Sequence, residues 1–155
     1  MSNYTRILIM GLPGSGKTTL ARKLNLAMPT SYMLNADDVR AKANDWDFSI
    51  EGRIRQAQRM RDLADSSGYK CVIADFVCGI PEQRDIFRPH ILVWMNTITA
   101  GRYTDTNAAF VNPVVEPAIC KIRFDSFEAV NLQKVIDAVK ISCQQSLYGR
   151  FECYN

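Results

Sequence analysis

The residues best suited to chemistry are those of the stretch GLPGSGKTTLA, Gly11 to Ala21, directly after the apolar run Ile7-Leu8-Ile9-Met10. Gly11-x-x-x-x-Gly16-Lys17-Thr18 meets the phosphate-cradle pattern G-x-x-x-x-G-K-[ST] in full. Glycines there, Gly11, Gly14 and Gly16, let the backbone take unusual dihedrals and bring N–H groups close to phosphate oxygens. The start of the following helix adds partial positive charge. Lys17 reaches β- and γ-phosphates, and the Thr18 hydroxyl ligates Mg²⁺. ATP and Mg²⁺ are therefore the expected cofactors, with ATP on Gly11, Gly14, Ser15, Gly16, Lys17, Thr18 and Thr19. No N-K-x-D guanine reader is present. A short chain with a lid-like segment points to a small kinase.

Kinase chemistry on a hydroxyl benefits from a carboxylate that orients the hydroxyl and accepts its proton. Asp37 in "MLNADDVR" is the candidate, with Arg40 three residues on as a guanidinium clamp for an anionic substrate. The plainer reading is a helix N-terminus with acidic residues favoured by the dipole. "KCVIAD" is an apolar strand closed by Asp75, the position of a carboxylate on the Mg²⁺ side. Phe48, in the polar "NDWDFS" loop, reads as a base-stacking platform or as a ring folded onto the core. Arg53, Arg55, Arg59 and Arg61 read mostly as a solvated helix face. Arg53 is singled out because it lies at the helix start. Arg102 is the candidate lid arginine at the donor. His90, the single histidine, reads as structural or surface-exposed.

The elements that must position these residues alternate. Strands are expected at 4–10, 31–34, 71–74, 91–95 and 120–124. Helices are expected at 17–27, from 37 to 42, at 50–66, at 82–87 and at 129–141. In the long helix Ile50, Ile54, Ala57, Met60, Leu63 and Ala64 recur at helical spacing, and Gly68 is placed to end it. Residues 97–117, polar and containing Pro113 and Pro117, read as a loop or lid. The fold class expected is α/β: a P-loop three-layer α/β/α arrangement around a mostly parallel sheet of about five strands. Ligands then belong at the carboxyl ends of the strands, where every motif above falls.

A chain of 155 residues suggests one domain, 1–155, with the lid-like segment at about 97–117. A net charge of +3 suits anionic ligands without marking a nucleic-acid binder. Five cysteines, none in a C-x-x-C pair, fit thiols in a reducing cytosol better than zinc or disulfides. The absence of a basic, apolar leader and of long apolar runs leads to the expectation of a cytoplasmic protein without a membrane partner. A homodimer is compatible with this reading.

"GLPGSGKTTLA", "LNADDVR" and "DWDFSIEGRIRQAQRMRDLADSSGYKCVIADF" together resemble the adenylylsulfate kinases over about residues 6–85. Those enzymes transfer the ATP γ-phosphate to the 3′-hydroxyl of adenosine 5′-phosphosulfate. The resemblance implies a small anionic nucleotide as substrate, with Asp37 as base, Arg40 and Arg53 as substrate arginines and Phe48 as adenine platform. It also implies that Gln56 stands at a family Asn, and that Phe110 is a second stacking ring. The chain departs from the family at Asn35 and Ala36, which replace the first Asp and the Gly of D-G-D. It departs again at Asp75, where the family has Ser, and in the lid. "NADDVR" and "IAD…PEQR" also resemble the kinase half of phage-type polynucleotide kinases. Only that alternative implies a nucleic-acid partner. A non-catalytic nucleotide-binding protein is the third reading.

Overall fold

The computed structural model describes residues 4–113, 118 and 120–147. Five strands, β1 (Thr5–Met10), β2 (Tyr32–Asn35), β3 (Cys71–Asp75), β4 (Ile91–Met95) and β5 (Cys120–Phe124), form one sheet in the order β2-β3-β1-β4-β5. Every pairing is parallel. Six helices connect or flank them: α1 (Lys17–Ala27), α2 (Ala36–Ala43), α3 (Ile50–Ser66), α4 (Pro81–Phe87), α5 (Thr104–Ala109) and α6 (Leu132–Leu147). The expected α/β/α sandwich around a parallel sheet is what the chain forms.

The period-two alternation of the strands divides the core. Ile7 and Ile9 of β1 face α1 and α6, with Leu20, Leu24, Val135 and Val139. Leu8 and Met10 face the opposite layer, with Val39, Ala57, Met60 and Phe87. Strands buried on both faces read as continuous apolar runs, as "ILIM" and "ILVWM" do. No helix of the described residues is long and apolar enough to cross a membrane. None of Cys71, Cys78, Cys120 and Cys143 forms a disulfide, and Cys153 lies outside the described residues.

Differences from the sequence-based expectations have local causes. Residues 97–117 hold a short helix, α5, whose sequence TDTNAA carries no apolar period. Residues 114–117, including Pro117, lie outside the described residues. Along α3, Ile50 and Leu63 are exposed, whereas Gly52, Arg53 and Gln56 are buried with Ala57, Met60 and Ala64. Polar groups occupy that stripe because backbone carbonyls face it: Arg53 donates to Phe48 O in the loop between α2 and α3, and Gln56 donates to Ala36 O of α2. Arg55 and Arg59 are not simply a solvated face: both pair with Asp45, and Arg55 also with Asp47. Arg61 pairs with Asp65 and donates to the Ile86 and Phe87 carbonyls.

His90 is structural. Its Nδ1 accepts from the Arg6 N–H at 2.8 Å, its own N–H donates to Arg6 O, and its carbonyl accepts from Cys120 N–H. It thereby ties the starts of β1 and β5 together. Burial and the neighbouring Arg6 and Arg61 push its pKa down to about 4. Such a group is neutral in the folded chain while the unfolded chain takes up a proton near 6.5, so stability is complete above about pH 6.5 and falls as pH drops toward about 4. Chemical denaturation across this window is expected to show that loss in the wild type. The His90→Asn variant, which retains an acceptor, is expected to show a flatter profile there.

Gly52 sits in the first turn of α3 under the loop that carries Phe48. A Cβ at this position would lie 2.1 Å from the Asp47 carbonyl oxygen. Gly52→Ala must therefore displace backbone, and a loss on the order of 1–3 kcal/mol is expected in urea unfolding.

Candidate active site

The cradle forms at the carboxyl end of β1. Gly14 (φ 90) and Gly16 (φ 96) take left-handed conformations that a Cβ would strain, curling the chain into a concavity ahead of α1. A Cβ on Gly11 would come within 2.7 Å of Met95 O and Ser15 Oγ, so this position is closed to larger residues. Ser15 Oγ is buried without a hydrogen-bond partner among the described residues. Lys17 is buried and its Nζ donates to Leu12 O at 3.0 Å. Burial lowers the Lys17 pKa, and Asp75 and Asp37 both act against that shift. Thr19, the third residue of α1, is exposed.

Asn35 and Asp75 are direct partners in the β2–β3 register. Thr18 Oγ1 donates to Asp75 Oδ2 at 2.5 Å, and Asn35 Nδ2 donates to the same oxygen at 2.8 Å. A hydroxyl and a carboxylate in contact beside a phosphate cradle fit Mg²⁺, a hard cation held by one or two protein oxygens together with water and phosphate. No cluster of three or more His, Cys, Asp or Glu among the described residues offers an all-protein cage.

On the far side of the cradle, α2 begins at Ala36, capped by Asn35 Oδ1, which accepts from Asp38 N–H at 3.0 Å. Asp37 stands exposed in this first turn and faces the same cavity as Lys17. Arg40, one turn on, is buried. Its Nη1 donates to the carbonyls of Asp45 (2.9 Å) and Asp47 (3.2 Å), and its guanidinium lies 4.4 Å over the Phe48 ring. Burial lowers its pKa. Arg53 Nε donates to Phe48 O at 2.8 Å, and Arg53 Nη2 pairs with Asp105 of α5 at 3.5 Å. Hydrogen bonds from Ser49, and then from Arg55, hold the Asp47 carboxyl down to about 2, and Arg55 and Arg59 hold that of Asp45 lower still. Two acidic residues thus fold the 44–49 loop, so that Phe48 meets the two arginines.

These groups line one cavity of about 450 Å³. Gly14, Lys17, Thr18 and Asp75 from the cradle side line it together with Asp37, Arg40, Phe48 and Arg53, and the exposed Arg102 lines it as well. Two expected substrate residues are placed elsewhere. Gln56 is fully buried, donating to Ala36 O and accepting from Arg59, so it braces α3 against α2 and does not line the cavity. Phe110 packs against Gly79, where a Cβ would be 3.0 Å from its ring, and lines a separate hollow beside Leu12 and Trp94. The cavity instead includes Trp46, Tyr103 and Gln83, which sequence reading passed over. The Trp in "NDWDFS" was the available signal for one of them; nothing in the sequence marked Tyr103 or Gln83.

The β4–α5 segment is fastened to the cradle. Thr97 Oγ1 donates to Ser15 O at 2.7 Å, and a Cβ at Gly101 would lie 3.0 Å from Pro13 O. Arg102 follows at once, its guanidinium 5.4 Å from the Tyr103 ring.

Solved structures share this architecture. An adenylylsulfate (APS) kinase from Mycobacterium tuberculosis, in complex with AMPPNP and APS, superposes with a TM-score of 0.72 at 18% identity, covering 88% of this chain and 98% of that one. A gluconokinase from Sinorhizobium meliloti gives 0.61 at 14% identity over 96% and 98% of the two chains. A shikimate kinase from Acinetobacter baumannii, in complex with shikimate, gives 0.59 at 17% identity over 90% and 94%. At these identities the likeness is one of fold. No curated protein matches in sequence. The family model of the AAA domain matches residues 7–85, the stretch from β1 through the cradle, α2 and α3 to β3 and the start of α4, which is just over half the chain. With its phosphate cradle and five-stranded parallel sheet, the chain belongs to the AAA domain family and has a P-loop kinase fold.

Proposed function

We propose that the protein is an ATP-dependent kinase whose acceptor is a hydroxyl on a small anionic nucleotide, most specifically the 3′-hydroxyl of adenosine 5′-phosphosulfate. The observation that carries this reading is the convergence on one cavity of a phosphate cradle, an arginine–aromatic clamp and the Asp37 carboxylate. The choice of acceptor follows the resemblance in sequence to the adenylylsulfate kinases over about residues 6–85, and a solved adenylylsulfate kinase complex shares the fold.

In this reading the 11–19 backbone and Lys17 hold the donor phosphates, and the buried Lys17 ammonium faces charge that develops during transfer. Thr18 and Asp75 would hold Mg²⁺, which supplies neutralisation of phosphate charge. Asp37 orients the acceptor hydroxyl and accepts its proton as the new O–P bond forms and the bond to the departing diphosphate breaks. Arg40 and Arg53 bind the acceptor's anionic group, and Phe48, whose ring meets both guanidinium groups, offers its exposed surface to a base. Arg102 closes the donor side. Substrate enters as a solute, and no membrane is involved.

A second reading, a polynucleotide 5′-hydroxyl kinase, draws on the mouth of the cavity. Trp46, Phe48 and Tyr103 are 51%, 45% and 52% exposed there, more ring surface than a single base covers.

Asp37→Asn is expected to lower kcat by about 10²-fold or more while changing ATP affinity by less than about twofold. Unchanged turnover would remove Asp37 as the base. Labelled ATP offered with adenosine 5′-phosphosulfate, with nucleosides and with 5′-hydroxyl oligonucleotides is expected to label the first. Transfer to the oligonucleotide alone would establish the second reading. ATP binding without transfer to any acceptor would leave a non-catalytic nucleotide-binding protein.

A further inference from the structure

Asn35 has two hydrogen bonds that point in opposite functional directions. Its Oδ1 is committed to the α2 N-terminus through Asp38 N–H (3.0 Å). That commitment decides which end of the amide faces β3, and the NH₂ is turned onto Asp75 Oδ2 at 2.8 Å. The same oxygen accepts from Thr18 Oγ1. Asp75 is only 3% exposed, so its position is set by these neighbours and not by water. Because residues 35 and 75 are register partners at the ends of adjacent parallel strands, their side chains leave the sheet at the same level. One of the pair is charged and the other neutral, and the neutral one supplies the donor that the charged one needs.

We propose that Asn35 is a positioning residue for the Mg²⁺ side of the site, and that the Asn35–Asp75 pair is built to present one negative charge, which either strand could supply. This rests on the reading of the cradle as a site for ATP and Mg²⁺. Two carboxylates at this spacing would repel and would no longer share a donor. No carboxylate at either position would remove the negative charge that this rim offers to a cation. Exchanging the two residues would keep the hydrogen bonds in balance. An aspartate at 35 still caps α2, as Asp does at helix N-termini, and can accept from an amide at 75. The carbonyl end of that amide can accept from Thr18.

The test measures affinity for a non-hydrolysable ATP analogue with and without Mg²⁺, taking the ratio as the metal-dependent gain for each protein. The wild type is expected to show a clear gain. Asp75→Asn and Asn35→Asp are each expected to lose about tenfold or more of it, the range seen when groups supporting a metal ligand are removed. The double variant, Asn35→Asp with Asp75→Asn, is expected to return to within about threefold of the wild type, a coupling that independent effects would not produce. Asn35→Ser keeps a helix cap but is too short to reach Asp75. It is expected to reduce the gain with little change in Tm, and this variant decides the matter if the double variant does not fold. An Asn35→Ser protein with the wild-type gain, or a folded double variant no better than either single one, would overturn the proposal. A wild type that binds the analogue with no metal-dependent gain would overturn it while leaving nucleotide binding intact. A wild type that does not bind the analogue at all would overturn the ATP reading, and this proposal with it.

Discussion

The parallel register of β2, β3 and β1 is the constraint on which the site depends. Parallel strands that end together place their last residues on one rim, and here that rim carries Asn35, Asp75 and the turn into the cradle. Thr18 can meet Asp75 only because α1 starts above the end of β1 while β3 stops beside it. α2 starts from the end of β2, so its first turn delivers Asp37 toward Lys17 without further design. Helix start, strand end and carboxylate are one geometric fact seen from three residues.

The second organising force is the desolvation of cations. Lys17, Arg40 and Arg53 are all buried against the cavity, and burial disfavours the charged form of the first two. Burying charge is costly unless it is paired. The chain meets part of that cost with backbone carbonyls and with Asp75, Asp37 and Asp105, and an incoming anion would meet more of it. The 44–49 loop pushes in the same direction. Asp45 and Asp47 use their side chains on Arg55 and Arg59 and their carbonyls on Arg40, so the carboxylates of this loop are already engaged by arginines that do not line the cavity.

Much of this was readable in the sequence because it is local. The cradle is contiguous, and its glycines are required by backbone geometry that a short pattern encodes. The strands are apolar runs, and four of the five helices expected from the sequence begin or end within a residue or two of their expected bounds. What could not be read depends on partners distant in sequence. Gln56 lies one turn beyond Arg53 on the helix, yet its amide is spent on Ala36 O, a contact 20 residues away that helical spacing does not reveal. Phe110 shares an aromatic identity with a base platform but meets Gly79 instead of the cavity. Tyr103 and Asp105 enter the site through α5, a helix too short and too polar to leave a periodic signal.

The fastening of the β4–α5 segment onto the cradle bears on how this chain can vary. With Gly101 lodged against Pro13 and Thr97 bound to Ser15, residues more than 80 positions away share the shape of the phosphate loop. Substitutions in a stretch that looks like ordinary surface loop would be felt in the loop that holds the nucleotide. A new acceptor specificity could therefore evolve readily by changing the half-exposed rings at the mouth, Trp46 and Tyr103. It could not evolve as readily by remodelling the root of the same segment, where each added atom is an intrusion on the donor.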